Sequence, residues 1–221
     1  MQTVGMKTLI ENKDYDGIRR LLADYPNLTN EGITIPFDEQ CTITAHPLHR
    51  ICDAVFANKI TNEEAIEIAK IFLESGANIN GAEIKQNEDT PLLAAASLHA
   101  EQLGIFYIDK KADIHYAGRN DGATALHWAA FCGRDKLVEK LIHEKATIDQ
   151  RDTAYNSTPL GWALHPLITG DKLNTFNQLP CIKLLLKAGA DTLALSKNKL
   201  PFLRGLAEAD PELKKLLNYP K

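Results

Sequence analysis

The sequence predicts an all-α fold: an array of stacked helix-turn-helix units joined by short β-hairpin loops. Two ladders in phase carry that prediction. Thr124-Ala125-Leu126-His127-Trp128-Ala129-Ala130 follows Thr90-Pro91-Leu92-Leu93-Ala94-Ala95-Ala96 by 34 residues and precedes Thr158-Pro159-Leu160-Gly161-Trp162-Ala163 by another 34. The second ladder runs Gly76-Ala77-Asn78-Ile79, Lys111-Ala112-Asp113-Ile114, Lys145-Ala146-Thr147-Ile148 and Ala188-Gly189-Ala190-Asp191. Two signatures that keep one phase define a structural repeat.

Each element of the unit has a local cause. Threonine followed by proline opens a helix, because the hydroxyl satisfies an orphan N–H and proline in the first turn has none to lose. The inner helix is short, with Leu126, Ala129 and Ala130 small enough for neighbouring helix pairs to approach. An outer helix follows, with Leu137, Val138, Leu141 and Ile142 at the i, i+4 spacing of a buried face. Gly76 and Gly189 supply the left-handed conformation that ends the outer helix; Lys111 and Lys145 replace it in the middle copies, where strain or a different cap is expected. Asn120-Asp121-Gly122 is a turn tripeptide suited to positive φ, as a hairpin finger between units requires.

The array divides into five units: an N-terminal cap repeat at 7–40, then 41–80, 81–115, 116–150 and 151–195, closed by capping helices in 196–221. The first unit lacks the Thr-Pro half, and the last pair is split by Ala209-Asp210-Pro211, a fresh helix start. Two copies are stretched: Pro47 to Pro91 spans 44 residues and Pro159 to Pro201 spans 42. Alignment places the extra residues near 56–64 and 169–178, with Thr61 as the cap of a longer outer helix. Such insertions often extend a binding face; neutral loop growth is the alternative, since closure entropy rises only logarithmically with length.

With this period and a Thr-Pro-Leu-His pattern kept in full at Thr124 to Ala130 except for Ala125, the chain resembles the ankyrin-repeat family. His46-Pro47-Leu48-His49 is a variant with histidine at the threonine position, and Leu200-Pro201-Phe202 is a worn terminal copy. The resemblance implies that His49 and His127 tie one repeat to the next by hydrogen bonds, and that His46 takes over the threonine's bonding. It also implies a concave groove made of hairpin tips and exposed inner-helix positions. Carried over residue by residue, the expected partner-binding surface comprises Asn87, Asp89, Arg119, Asn120, Trp128, Phe131, Arg134, Tyr155, Trp162 and His165. Trp128 and Trp162 hold the same register in adjacent repeats, and Trp, Tyr and Arg are the side chains most enriched at interface hot spots. The alternative for the two indoles is core filling, one packing solution reused in successive copies.

Composition narrows the function. A formal charge of −4 over 221 residues, without clustered Lys and Arg, gives no footprint for nucleic acid. No run of about 18 apolar residues is present, and the start of the chain lacks the basic-then-apolar pattern of an export signal. Cys41, Cys52, Cys132 and Cys181 have unrelated spacings and read as free thiols of a reducing cytoplasm, with Cys52 and Cys181 buried and Cys132 exposed. The histidines lack zinc spacing, and nucleophile-elbow, phosphate-loop and dinucleotide motifs are missing, so neither a metal, a cofactor nor a catalytic residue is expected.

The expected function is a non-enzymatic protein-protein interaction module: a cytosolic adaptor, inhibitor or effector-like scaffold, acting as a monomer on one protein partner away from nucleic acid and membrane. An effector delivered by a non-Sec route would carry the same features. The alternative is a small-ligand sensor or enzyme with a pocket between His165 and the 169–178 insertion. An open groove favours the first, and a deep closed cavity holding His165 the second.

Overall fold

Seven-residue helices cannot persist alone in water, so the shortest inner helices of this chain exist because a neighbouring inner helix covers them. The computed structural model describes residues 5–81, 89–170 and 178–218, and every element longer than a turn among them is helical. Contacts divide the chain into two compact units, Met1–Asp113 and Ile114–Lys221.

The first unit contains α1 (Met6–Glu11), α2 (Tyr15–Asp24), α3 (Pro47–Phe56), α4 (Asn62–Glu74), α5 (Pro91–Ser97) and α6 (Glu101–Asp109). Inner helix α3 packs on α5, and outer helices α2, α4 and α6 pack in succession. Ile18, Leu48, Ile51, Ile68, Phe72, Leu92, Leu103 and Tyr107 are fully buried between them. The Tyr107 hydroxyl donates to the Leu48 carbonyl at 2.8 Å, which satisfies the one polar atom that this ring brings into the core.

The stretched second repeat spends its extra residues partly on helix. α3 has 10 residues against seven in α5, and α4 has 13 against nine in α6. Thr61 opens α4 through a reciprocal capping box with Glu64, as the sequence led us to expect. The insertion therefore lengthens both helices as well as the turn between them.

The second unit contains α7 (Ala125–Phe131), α8 (Asp135–His143), α9 (Pro159–Thr169), α10 (Gln178–Lys187), α11 (Lys199–Ala209) and α12 (Pro211–Asn218). α7, α9 and α11 pack in succession, and so do α8, α10 and α12. The closing pair thus continues the stacking of the repeats, with Leu203 and Leu213 buried. Lys183 pairs with both Asp210 (2.7 Å) and Glu212 (2.9 Å), fixing the start of α12 against α10. Leu126, Leu141 and Leu160 are all fully buried.

Both sequence ladders have a bonding role. Thr90 and Thr158 cap their helices by accepting from the Leu93 and Gly161 N–H groups. His49 and His127 reach the next repeat at the Asp89 and Ser157 carbonyls, 3.3 and 3.2 Å away. In the second ladder, the N–H groups of Asn78, Asp113 and Asp191 donate to Asn30, Asn80 and Asp149. Lys111 and Lys145 adopt φ of 69°, the strained left-handed geometry anticipated where glycine is missing. The finger at Asn120-Asp121-Gly122 closes with a single bridge, Ala117 to Thr124, and the Asp121 carbonyl accepts from Thr153 of the next loop at 2.7 Å. Gly122 has φ of 70°, and a Cβ there would press on the Thr153 backbone nitrogen at 2.8 Å. Glycine is required on both counts.

One expectation fails. Cys132 is buried at 2% exposure, not exposed, because it is the C-cap of α7 and lies beneath the turn into α8. Burial pushes its thiol up to about 12.

His46 replaces the capping threonine in the second repeat. Its Nδ1 accepts from the Leu48 N–H at 3.2 Å, which places the proton on Nε2, 3.0 Å from Asn30 Oδ1. Burial, with a smaller contribution from His49, lowers its pKa to about 4. An unfolded histidine titrates near 6.5, so between pH 6.5 and 4 only the unfolded chain takes up this proton. Stability should fall as the pH drops through that window, by on the order of 3 kcal/mol for this ring, and level off below it. His46→Thr should remove that share of the acid dependence in urea unfolding while keeping a cap; an unchanged profile would acquit the ring. Lys145→Gly should add about 1 kcal/mol by relieving the left-handed strain, measured by the same denaturation.

Candidate functional site

The second unit gathers Trp128, Phe131, Tyr155 and Trp162 beside a buried carboxylate. Asp152 lies in the loop between α8 and α9 and is only 3% exposed. It accepts from the backbone N–H of Tyr155, from that of Ser157 at 2.9 Å, and from the Trp162 indole Nε1 at 2.9 Å. Burial alone would raise its pKa, but the indole and the two N–H groups hold the carboxyl below its usual value. These bonds fold the 152–157 loop into a tight turn with Asn156 at φ of 47° and bring Tyr155 over α9.

Trp162 is the hub of the rings. It meets Trp128 edge to face at 5.1 Å, His127 at 5.4 Å, Phe131 at 5.9 Å and Tyr155 at 6.2 Å. His165 stacks on Phe131 with centroids 6.3 Å apart. Edge-to-face pairs at these separations follow the ring quadrupoles and hold the cluster in one arrangement. Trp162 itself is 7% exposed, so it is core as much as surface. Trp128 and Phe131 are half-buried, His165 is exposed, and Tyr155 is 76% exposed.

A cleft of about 290 Å³ opens between these rings. Ser157 and Lys199 complete its lining, with Lys199 Nζ donating to Ser157 Oγ at 3.0 Å. The pair fits because the fifth repeat carries Gly161 where the fourth has His127. A Cβ at Gly161 would collide with Ser157 Oγ and lie 3.2 Å from Lys199 Nζ. Burial lowers the Lys199 pKa, and the Asp152 charge opposes that shift.

The structure brings together Trp128, Phe131, Tyr155, Trp162 and His165 of the surface expected from sequence. Arg134 does not join them: it is the N-cap of α8, half-buried, and its Nε is turned into the protein. Arg119 and Asn120 are exposed on the finger that precedes α7. Asp89, in the first unit, is half-buried and receives the His49 bond on its carbonyl. Asn87 and most of the 169–178 insertion lie outside the described residues. Sequence reasoning missed Lys199 and Asp152. The signal for the first was available, since Gly161 breaks the repeat's own pattern and leaves room for a side chain from the next unit. Asp152 gave no signal, because only the folded loop aims three donors at it.

Among the described residues no group of three or more His, Cys, Asp or Glu is placed to hold a metal ion. No described helix is long and apolar enough to cross a membrane.

These features define a class: stacked helical hairpins that expose an aromatic cleft on one unit. Residues 54–152 match the sequence model of ankyrin repeats, in three copies, so this part of the chain is built of ankyrin repeats. Repeats of this family are generally protein-protein interaction modules. The chain is 34% identical over 116 residues to palmitoyltransferase ZDHHC13 of Mus musculus, covering 48% of this chain and 17% of that protein. It is 31% identical over 120 residues to ankyrin repeat and SOCS box protein 6 of Mus musculus, covering 54% of this chain and 27% of that protein. The human form of the latter is 35% identical over 120 residues, covering 54% and 26%. The match thus spans about a quarter or less of each relative.

Asp152→Ala should cost about 3 kcal/mol, since a charged acceptor is lost and three donors remain. It should also shift tryptophan emission to the red as the indole loses its anchor. Wild-type stability and emission in this variant would show that the loop holds without its carboxylate.

Proposed function

We propose that this chain is a protein-binding module that captures a segment of one partner protein in the cleft of its second unit. Trp128 and Phe131 form the wall, Trp162 backs them, and Tyr155 and His165 stand at the rim. The observation that carries this reading is Tyr155, a large ring left 76% exposed beside an otherwise closed core. Side chains of this type, held rigid before contact, lose little entropy on binding and dominate interface energetics. Arg119 and Asn120, exposed on the neighbouring finger, would extend the surface.

A small-ligand site is the weaker alternative. The cleft of about 290 Å³ sits at the lower edge of drug-sized pockets, and its histidine is exposed at the rim rather than enclosed. An aromatic cleft of that size suits one or two side chains of a longer segment.

The test is selection of binders from a random phage-displayed peptide library on the folded chain, followed by affinity measurement against rim and wall variants. Tyr155→Ala and Phe131→Ala should each weaken the selected peptides by about 2 kcal/mol while moving the melting temperature little. Peptides that bind all variants equally would place recognition elsewhere on the chain.

A further inference from the structure

The cleft is not purely apolar. Lys199 enters it from α11, and its ammonium donates to Ser157 Oγ with no carboxylate among the described residues within ion-pair distance. The nearest acid that acts on it, Asp152, has its oxygens committed to Trp162, Tyr155 and Ser157. An ammonium has three donors, and only one has an acceptor among the described residues. Half-buried against aromatic rings, such a cation is a standing demand for a negative charge.

Resting on the reading of this cleft as a partner site, we propose that it takes an extended segment carrying an apolar residue beside an internal aspartate or glutamate. The apolar side chain enters between Tyr155, Phe131 and Trp128, and the carboxylate pairs with Lys199 next to Ser157.

Three observations select that chemistry. Aromatic cages of this kind can hold a cation over ring faces, but a ligand cation here would meet Lys199 at close range. A chain-terminal carboxylate is usually gripped by a nest of backbone N–H groups; the N–H groups of Tyr155 and Ser157 are already taken by Asp152. A phosphate needs a cluster of arginines, and the adjacent guanidinium, Arg151, is bound to the carbonyls of Asn156 and Ala194. One ammonium and one hydroxyl match one carboxylate. The Gly161 position is what admits this pair to the cleft, so the preference is built into the fifth repeat and not into the repeat pattern at large.

The experiment uses synthetic copies of the peptides selected from the random library on the full chain. Each is made with its acidic residue intact and as the Asp→Asn or Glu→Gln analogue, and measured against wild type, Lys199→Met and Lys199→Arg. Selected sequences should be enriched in an acid adjacent to an aliphatic residue or proline. Amidation should weaken binding to wild type about tenfold, have no further effect on Lys199→Met, and weaken Lys199→Arg nearly as it does wild type. Because Lys199 also ties α11 to Ser157, melting curves accompany each variant, and Lys199→Arg supplies the answer should Lys199→Met fail to fold. Enrichment of basic residues, or an amidation effect of equal size in wild type and Lys199→Met, overturns the acidic-segment proposal. Loss of binding in Tyr155→Ala and Phe131→Ala alongside that result leaves the cleft as the site and condemns only the acid. Binding indifferent to those two variants condemns the cleft itself.

Discussion

No helical hairpin in this chain can close its own core, and everything else follows from that constraint. α5 and α7 are seven residues each, about half the length at which an isolated helix becomes even marginal. Each survives because a longer inner helix of its own unit covers it, α3 over α5 and α9 over α7, which demands small residues along the inner face. Ala94, Ala95, Ala96, Ala129 and Ala130 meet that demand and are buried. The same close approach brings backbone polar groups together that neither unit can satisfy alone. His127 reaching Ser157, Asp149 receiving the Asp191 N–H, and Asn80 receiving that of Asp113 are the answers. Packing and hydrogen bonding therefore act together in a repeat: the His127 bond to Ser157 satisfies a buried ring behind the inner helix, while the two loop bonds tie successive repeats at their exposed edge.

The candidate site arises where the repeat departs from its own rule. Histidine at position 127 fills the space behind the inner helix and ties it forward; glycine at the equivalent position 161 leaves that space open, and Lys199 enters it from the closing pair. Loop 152–157 is likewise shaped by a residue outside the pattern, the buried Asp152. Rings that would otherwise be alternative core fillers become the walls of an opening. Trp162 illustrates the overlap: one edge is anchored on Asp152, and the rest of the ring backs Trp128, Phe131 and Tyr155. Core and surface are not exclusive roles for such a residue.

Period and register were legible in the sequence because stacking forces them. Thr90, Thr124 and Thr158 mark helix starts, and the clustering of Trp128, Phe131, Tyr155, Trp162 and His165 follows from equal register in adjacent copies. What escaped was whatever depends on where a side chain points after the turn. Arg134 lies in the right loop, yet as N-cap of α8 its stem turns inward. Cys132 aligns with a variable position but ends its helix under the next turn, so it is buried. The extra residues near 56–64 read as an insertion that lengthens the outer helix, and α4 is longer as expected; what went unread is that α3 also runs on through Val55 and Phe56. Alignment counts residues; it does not say which of two adjoining elements absorbs them.

The two middle lysines show how the stacking tolerates local cost. Lys111 and Lys145 hold the left-handed geometry that Gly76 and Gly189 adopt freely, with φ of 69° against 94° and 95°. Such strain, of order 1 kcal/mol or more per residue, persists only where the surroundings leave no other route. Here the N–H groups of Ala112 and Ala146 must return to the carbonyls of Tyr107 and Leu141, and the following chain must reach the next unit. The neighbours fix the path, and the residue accepts it. Their grip also bears on the proposed role of the aromatic cleft: rings carried by helices whose ends are this tightly determined are held in one arrangement, and little ordering entropy would be left to oppose capture of the proposed segment.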